Sequence, residues 1–365
     1  MVLTGARQTG KTSLARRLFP RYHFVSLDLP SEAETAEQDS RNFLSRHPAP
    51  LIIDEVQYAP KLFRALKVAV DENRSQAGRF LLTGSQRFVL MKGISESLAG
   101  RAEIVELDTL SSVEIRKALP DAKLDQVLLR GGFPELWANP EVDAYSYYRS
   151  YIATYLERDV RSLLGVASLR DFERFLRACA VRTAQLLNKS DLARDVGISP
   201  STANEWLSVL NTSGQVVLVE PWFANRTKSI GKRPKLYFAD TGLLCALLDL
   251  RGPEGLAGSP FAGALWETFV FGELRKREIH KQLHWSIHFW QDRSREVDFL
   301  IHRGGRFELY EAKWAEHPDR RTTENMLWLT EQFGKNNIIR RDVVCRAPQR
   351  YPIGNGVYAT PVEEL

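Results

Sequence analysis

At 365 residues and 44% apolar composition, the chain can bury more than one core, and two to four domains are expected. Its three cysteines, Cys179, Cys245 and Cys345, are odd in number and far apart, which excludes a disulfide framework or a thiolate metal site and fits a reducing cytoplasm. A net charge of +5 names no partner by itself, and with neither a signal peptide before Val2 nor an apolar run of roughly 18 residues, no membrane partner is expected.

Over the first hundred residues short apolar runs alternate with helical stretches, the pattern of a parallel sheet flanked by helices. Candidate strands cover 2–4, 23–27, 51–53, 79–83 and 104–107. Between the first of them and a helix lies Gly5-Ala6-Arg7-Gln8-Thr9-Gly10-Lys11-Thr12, the spacing of a nucleotide-phosphate cradle. Its glycines permit the tight turn that points backbone N–H groups at anionic oxygens. The helix start adds partial positive charge, Lys11 a full one, and the Thr12 hydroxyl can ligate Mg²⁺. Gly5, Arg7, Gln8, Thr9, Gly10, Lys11, Thr12 and Ser13 are therefore the candidate phosphate-binding residues; the plainer alternative is a Gly-rich turn capping an ordinary helix.

The third strand delivers Asp54 and Glu55 at its C-terminal end, where such sheets bind ligands. Asp54 is read as the carboxylate on the Mg²⁺ side and Glu55 as the base that orients attacking water, against a solvated acidic loop. The fourth strand ends in Thr83-Gly84-Ser85, so Thr83 and Ser85 are candidate phosphate sensors or simply turn residues. Arg101, ahead of the fifth strand, is either a cation that stabilises transition-state charge in the same or a neighbouring subunit, or a surface arginine ending a helix.

These runs, with Ile52-Ile53-Asp54-Glu55-Val56-Gln57, Leu82-Thr83-Gly84-Ser85 and Leu98-Ala99-Gly100-Arg101, resemble the prokaryotic AAA+ ATPases that carry a C-terminal DUF4143 region, and the resemblance spans essentially the whole chain. It implies an α/β fold with a P-loop parallel sheet over 1–108, a helical lid and linker over 109–180, a winged helix over 181–250 and a restriction-endonuclease-like domain over 251–365. ATP and Mg²⁺ are the implied cofactors and a homo-oligomer a candidate assembly. Family members usually carry some tens of residues before the phosphate loop. Here the first strand begins at Met1, so either the start is misplaced or truncated or residues that would cover the adenine are missing.

From residue 111 to about 180 the periodicity is helical, broken at Gly131-Gly132-Phe133-Pro134, a turn that ends one helix and begins another. Residues 151–161 read as an amphipathic helix whose Arg158 and Arg161 are nucleotide sensors or solvated ion pairs. A helix-turn-helix follows, with a first helix over 189–196 capped by Ser190 and a second over 200–210 capped by Ser199. β-Rich stretches over 215–220 and 235–238 flank Arg226, Lys228, Lys232, Arg233 and Lys235, a basic wing. In a DNA-binding winged helix, Ser201, Thr202 and Asn204 face the major groove while Arg226, Lys228, Lys232 and Arg233 meet phosphates. The alternative is a protein-contact module.

Residues 261–277 read as a helix with Trp266, Phe269, Val270 and Leu274 inward and Glu267 beside them. Two β-rich runs around Gly304-Gly305 read as a hairpin that sets Asp298 opposite Glu311 and Glu296 opposite Lys313. Opposed carboxylates need a cation, either Lys313 or a metal. With Glu267 on the helix, the set resembles the PD-(D/E)xK nuclease core, in which Asp298 and Glu311 hold Mg²⁺ and Lys313 positions water. The alternative is a hairpin whose Glu296–Lys313 and Lys313–Glu311 pairs neutralise one another. The expected function is Mg²⁺-dependent ATP hydrolysis coupled to DNA; an ATP-regulated nuclease and a non-hydrolysing switch with a protein partner are the other classes.

Overall fold

The computed structural model describes residues 1–85, 90–91, 93–155, 169–224, 232–281, 283, 286–292 and 294–365. The chain divides into two units: Met1–Thr109 with Thr212–Gly214, and Leu110–Asn211 with Gln215–Leu365.

In the first unit the apolar runs form β1 (Val2–Thr4), β2 (His23–Ser26), β3 (Leu51–Asp54), β4 (Phe80–Gly84) and β5 (Ile104–Glu106). Their order is β2–β3–β4–β1–β5, and each neighbouring pair is parallel, so all the C-terminal ends share one edge. The strand period of two sends consecutive apolar residues to opposite faces. Leu3, Ile52 and Leu81 pack on one side with Ala15 of α1 (Lys11–Leu18). Val2, Ile53 and Leu82 pack on the other with Ala36 of α2 (Pro30–Gln38), Phe43 of α3 (Ser40–Arg46) and Phe63 of α4 (Leu62–Asp71). Both faces are covered, as an all-parallel sheet requires.

The second unit opens with α5 (Ser112–Ala118), held by a Ser111–Glu114 capping box, then α6 (Leu124–Arg130), α7 (Pro134–Ala138), α8 (Ala144–Tyr155) and α9 (Leu169–Val181). Arg158 and Arg161 lie outside the described residues. Next come β6 (Gln185–Leu186), α10 (Lys189–Val196), α11 (Pro200–Thr212), β7 (Val216–Val219) and β8 (Lys235–Phe238), with the strands antiparallel in the order β6–β8–β7. The cap of α10 is Asn188, not Ser190: its backbone is extended, and its side chain accepts from the N–H groups of Ser190 and Asp191. Ser199 caps α11 as expected, accepting from Thr202 N–H at 3.0 Å.

After α12 (Thr241–Leu247), α13 (Gly252–Ala257) and α14 (Ala262–His280), a mixed sheet forms from β9 (Ile287–Asp292), β10 (Arg295–Arg303), β11 (Arg306–Ala312), β12 (Ile338–Val344), β13 (Tyr351–Gly354) and β14 (Val357–Thr360). The order is β13–β14–β12–β11–β10–β9, with β12 parallel to both its neighbours. Trp266, Phe269, Val270 and Leu274 of α14 are buried in a core that runs without interruption from Ile115 to Val362. The middle helices, the helix-turn-helix and the mixed sheet therefore share that core. Among the described residues, no helix is long and apolar enough to cross a membrane.

Candidate nucleotide site and acidic cluster

The parallel register pairs Thr4 with Gly84 and Ser26 with Asp54, so the loops leaving β1, β3 and β4 meet at one edge of the first unit's sheet. The phosphate loop turns through left-handed Gln8 (φ 61°) and Gly10 (φ 88°). Gly5 admits no side chain, since a Cβ there would lie 2.1 Å from the Leu107 carbonyl oxygen. The Thr9 hydroxyl turns into the loop and donates to the Ala6 carbonyl (3.0 Å), while Ser13 is exposed at the helix start. Lys11 is buried, and its ammonium donates to the carbonyls of Gly5 (3.1 Å) and Ala6 (2.6 Å). Burial lowers its pKa to about 8; Glu55 and Asp54 oppose that shift and Arg7 adds to it. A desolvated ammonium resting on exchangeable carbonyls is suited to receive phosphate oxygens.

Asp54 is 5% exposed and lies at the centre of the site. Its Oδ1 accepts from the hydroxyls of Thr12 (2.8 Å) and Thr83, and its Oδ2 from Ser26 (3.4 Å). A hydroxyl and a carboxylate side by side form a hard oxygen donor pair, which fits Mg²⁺ better than a softer ion. Glu55 has a left-handed backbone (φ 54°), and its carboxylate is held by Gln57 Nε2 and by Ser85 Oγ at 3.1 Å. Thr83 is fully buried behind these groups, giving its hydroxyl to Asp54 and accepting from Glu55 N–H.

Arg101 requires a correction. It precedes β5, so the parallel sheet places it at the edge opposite the phosphate loop. Its guanidinium forms a two-point pair with Asp71, Nε to Oδ1 at 2.8 Å and Nη2 to Oδ2 at 3.0 Å. The same-subunit role is thereby corrected; the neighbouring-subunit role and the ion-paired surface arginine both stand.

In the second unit, Ser201 and Asn204 of α11 and Lys232 and Arg233 before β8 are exposed, and Thr202 is half-buried against Ser199 (2.8 Å). Arg226 and Lys228 lie outside the described residues. Trp206 is turned inward, 5.1 Å from the Phe172 ring and 5.4 Å from the Phe175 ring.

The hairpin takes the register expected around Gly304-Gly305, with Phe299 opposite Tyr310 and Arg303 opposite Arg306. One residue further, the Asp298 carboxylate itself accepts from Ala312 N–H at 2.9 Å. Lys313 pairs with Glu311 at 2.9 Å. Glu296 does not meet Lys313 as expected; it pairs with Lys235. That lysine also reaches Glu267 at 2.9 Å and lies 3.9 Å from Asp298, with its side chain 5% exposed. Lys235 therefore does not belong to a solvated basic wing. The period of β8 puts Lys235 and Tyr237 on one face, and the Tyr237 hydroxyl donates to the same Glu267 oxygen at 2.7 Å. Burial, then the charge of Asp298, raises the pKa of both Glu267 and Glu311; the ammoniums of Lys235 and Lys313 respectively oppose that.

Family models match three stretches of the chain: an AAA domain over residues 1–116, a domain of unknown function (DUF8612) over 121–254 and a second (DUF4143) over 262–365. The uncharacterized proteins Rv2008c of Mycobacterium tuberculosis and Mb2031c of Mycobacterium bovis are each 31% identical over 368 residues, covering 100% of this chain and 80% of theirs. The chain belongs to the AAA-domain proteins with a C-terminal DUF4143 region. It is also similar to the Thermotoga maritima RuvB Holliday junction branch migration motor, at 19% identity over 59% of this chain and 80% of that one, TM-score 0.30. The Aeropyrum pernix Orc1 protein in complex with DNA is similar at 15% identity over 68% and 86%, TM-score 0.28.

The AAA domain of this DUF4143 protein is a P-loop NTPase fold, which implies nucleotide binding. Four further residues join the sites: Ser26 and Gln57 beside the carboxylates of the first unit, and Lys235 and Tyr237 in the second. Ser26 ends a strand parallel to β3, a signal the sequence carries; the alternation of Lys235 and Tyr237 is another.

Proposed function

We propose that this AAA-domain protein is a Mg²⁺-dependent ATPase that couples ATP binding and hydrolysis to the handling of DNA. The supporting observation is the convergence of Lys11, Thr12, Asp54 and Glu55 at one edge of a parallel sheet. The loop Gly5–Ser13, with Arg7, Gln8, Thr9 and Gly10, cradles the phosphates, and Lys11 leaves its two carbonyls to neutralise them. Thr12 and Asp54 hold Mg²⁺, which when bound screens the charge of the phosphates. Glu55 orients water and takes its proton, with Ser85 and Gln57 fixing the carboxylate and Thr83 its backbone. Turnover of ATP with and without duplex DNA, wild type against Lys11→Ala, tests the reading. Wild type should turn over faster with duplex and the variant should lose turnover. Equal rates for the two proteins would reject the site, and rates indifferent to DNA would reject the coupling.

The DNA part rests on the order helix, turn, helix, strand, strand and on the exposed Ser201, Asn204, Lys232 and Arg233. Each phosphate-bound cation contributes about 0.9 to the log–log salt slope of duplex binding, so Lys232→Ala with Arg233→Ala should flatten that slope by roughly 2 and weaken binding alike on any sequence. A slope unchanged in fluorescence anisotropy titrations would reject this surface.

A further inference from the structure

The acidic cluster of the second unit carries an inference independent of ATP turnover. Four carboxylates gather there, those of Glu267 on α14, Glu296 and Asp298 on β10 and Glu311 on β11. Two carboxylates opposed across a hairpin repel unless a cation lies between them. The sequence offers Lys313 or a metal for that place, and the structure brings in a third candidate from another sheet. We infer that Lys235 is the built-in cation of this cluster, and that the cluster admits a divalent ion only when Lys235 is withdrawn.

The side chain arrives from β8, and its ammonium contacts an oxygen of Glu267 (2.9 Å), one of Glu296 and, at 3.9 Å, one of Asp298. Those are oxygens of three residues on two chain segments, α14 and β10, the kind of donor set a hard cation would need. The remaining oxygens are largely committed: Asp298 Oδ2 to Ala312 N–H and Glu311 Oε1 to Lys313. Among the described residues Glu311 Oε2 is buried with no hydrogen-bond partner, an unused carboxylate oxygen on the strand paired with that of Asp298. Two ammoniums do not balance four carboxylates; the raised pKa values of Glu267 and Glu311 allow protons to supply the difference. Among the described residues, no group of three His, Cys, Asp or Glu side chains is arranged to hold a metal ion. A divalent ion does not fit among these carboxylates while Lys235 stays.

Mn²⁺ is the probe, added to full-length protein stripped with EDTA and free of nucleotide, with bound ion counted from the loss of the free-ion EPR signal. Wild type and Lys235→Arg should bind no Mn²⁺ that Glu311→Gln removes. Lys235→Met should gain one equivalent, lost again in Lys235→Met/Glu311→Gln, and Mn²⁺ should raise the thermal midpoint of Lys235→Met alone. If Lys235→Met does not fold, Lys235→Gln carries the same comparison. A wild-type equivalent abolished by Glu311→Gln overturns the inference, and so does a folded, uncharged variant that gains none.

Discussion

Replacing Glu55 with Gln should lower ATP turnover about 10²- to 10⁴-fold, the usual contribution of a positioned general base, while ATP affinity stays within roughly threefold of wild type. Gln has the same length and can keep the contact with Ser85 Oγ, which lies 3.1 Å from Glu55 Oε2. The substitution removes the proton acceptor and leaves the phosphate loop intact. It also preserves a left-handed backbone, φ 54°, that a β-branched residue would strain. Single-turnover hydrolysis and equilibrium binding of ATP, read on the same preparation, separate the two effects. Should turnover in the variant stay within about fivefold of wild type, well below the range for a general base, Glu55 is not the base; ATP bound without turnover in either protein would instead favour a nucleotide switch.

The parallel sheet and its phosphate loop were legible because each rests on local pattern. The runs Val2-Leu3, Ile52-Ile53 and Leu81-Leu82 are continuous and apolar, as strands buried on both faces must be, and the loop has fixed spacing. The hairpin register was legible for the same reason: Gly304-Gly305 fixes it. What was not legible depends on where distant segments come to rest. Arg101 read from its motif as either a cation for transition-state charge or a surface arginine, and the strand direction of β5 sends it away from its own subunit's phosphate loop, to Asp71. Lys235 looked like one more wing cation because its sequence neighbours are basic and solvated. Its side chain points the other way, into carboxylates 32 to 63 residues further along the chain. A charge run fixes the sign of a surface but not which member turns inward.

Asp240→Ala should destabilise the second unit by about 2–6 kcal/mol, because it strands two buried backbone N–H donors at roughly 1–3 kcal/mol each. Those donors are Gly132 N–H (2.7 Å) and Leu243 N–H (3.0 Å), and the Tyr148 hydroxyl donates to the same carboxylate at 2.8 Å. Asp240 thus caps α12 and fastens the Gly131-Gly132-Phe133-Pro134 turn, 108 residues away in sequence, between α6 and α7. Gly131 has φ 65°, and a Cβ there would lie 2.2 Å from Asp240 Oδ1, so turn and carboxylate are built for one another. The Tyr148 hydroxyl still reaches the Arg130 carbonyl at 2.7 Å after the change, so its share of the loss is small. Asp240→Asn keeps one acceptor oxygen and presents an amide donor to the other N–H, so it should lose about half as much. Urea unfolding followed by tryptophan fluorescence reads the difference, with eight tryptophans in the chain, all beyond residue 130 and so within the second unit. A loss below about 1 kcal/mol for Asp240→Ala would mean that the turn is held by its own glycines and by Pro134, not by the carboxylate.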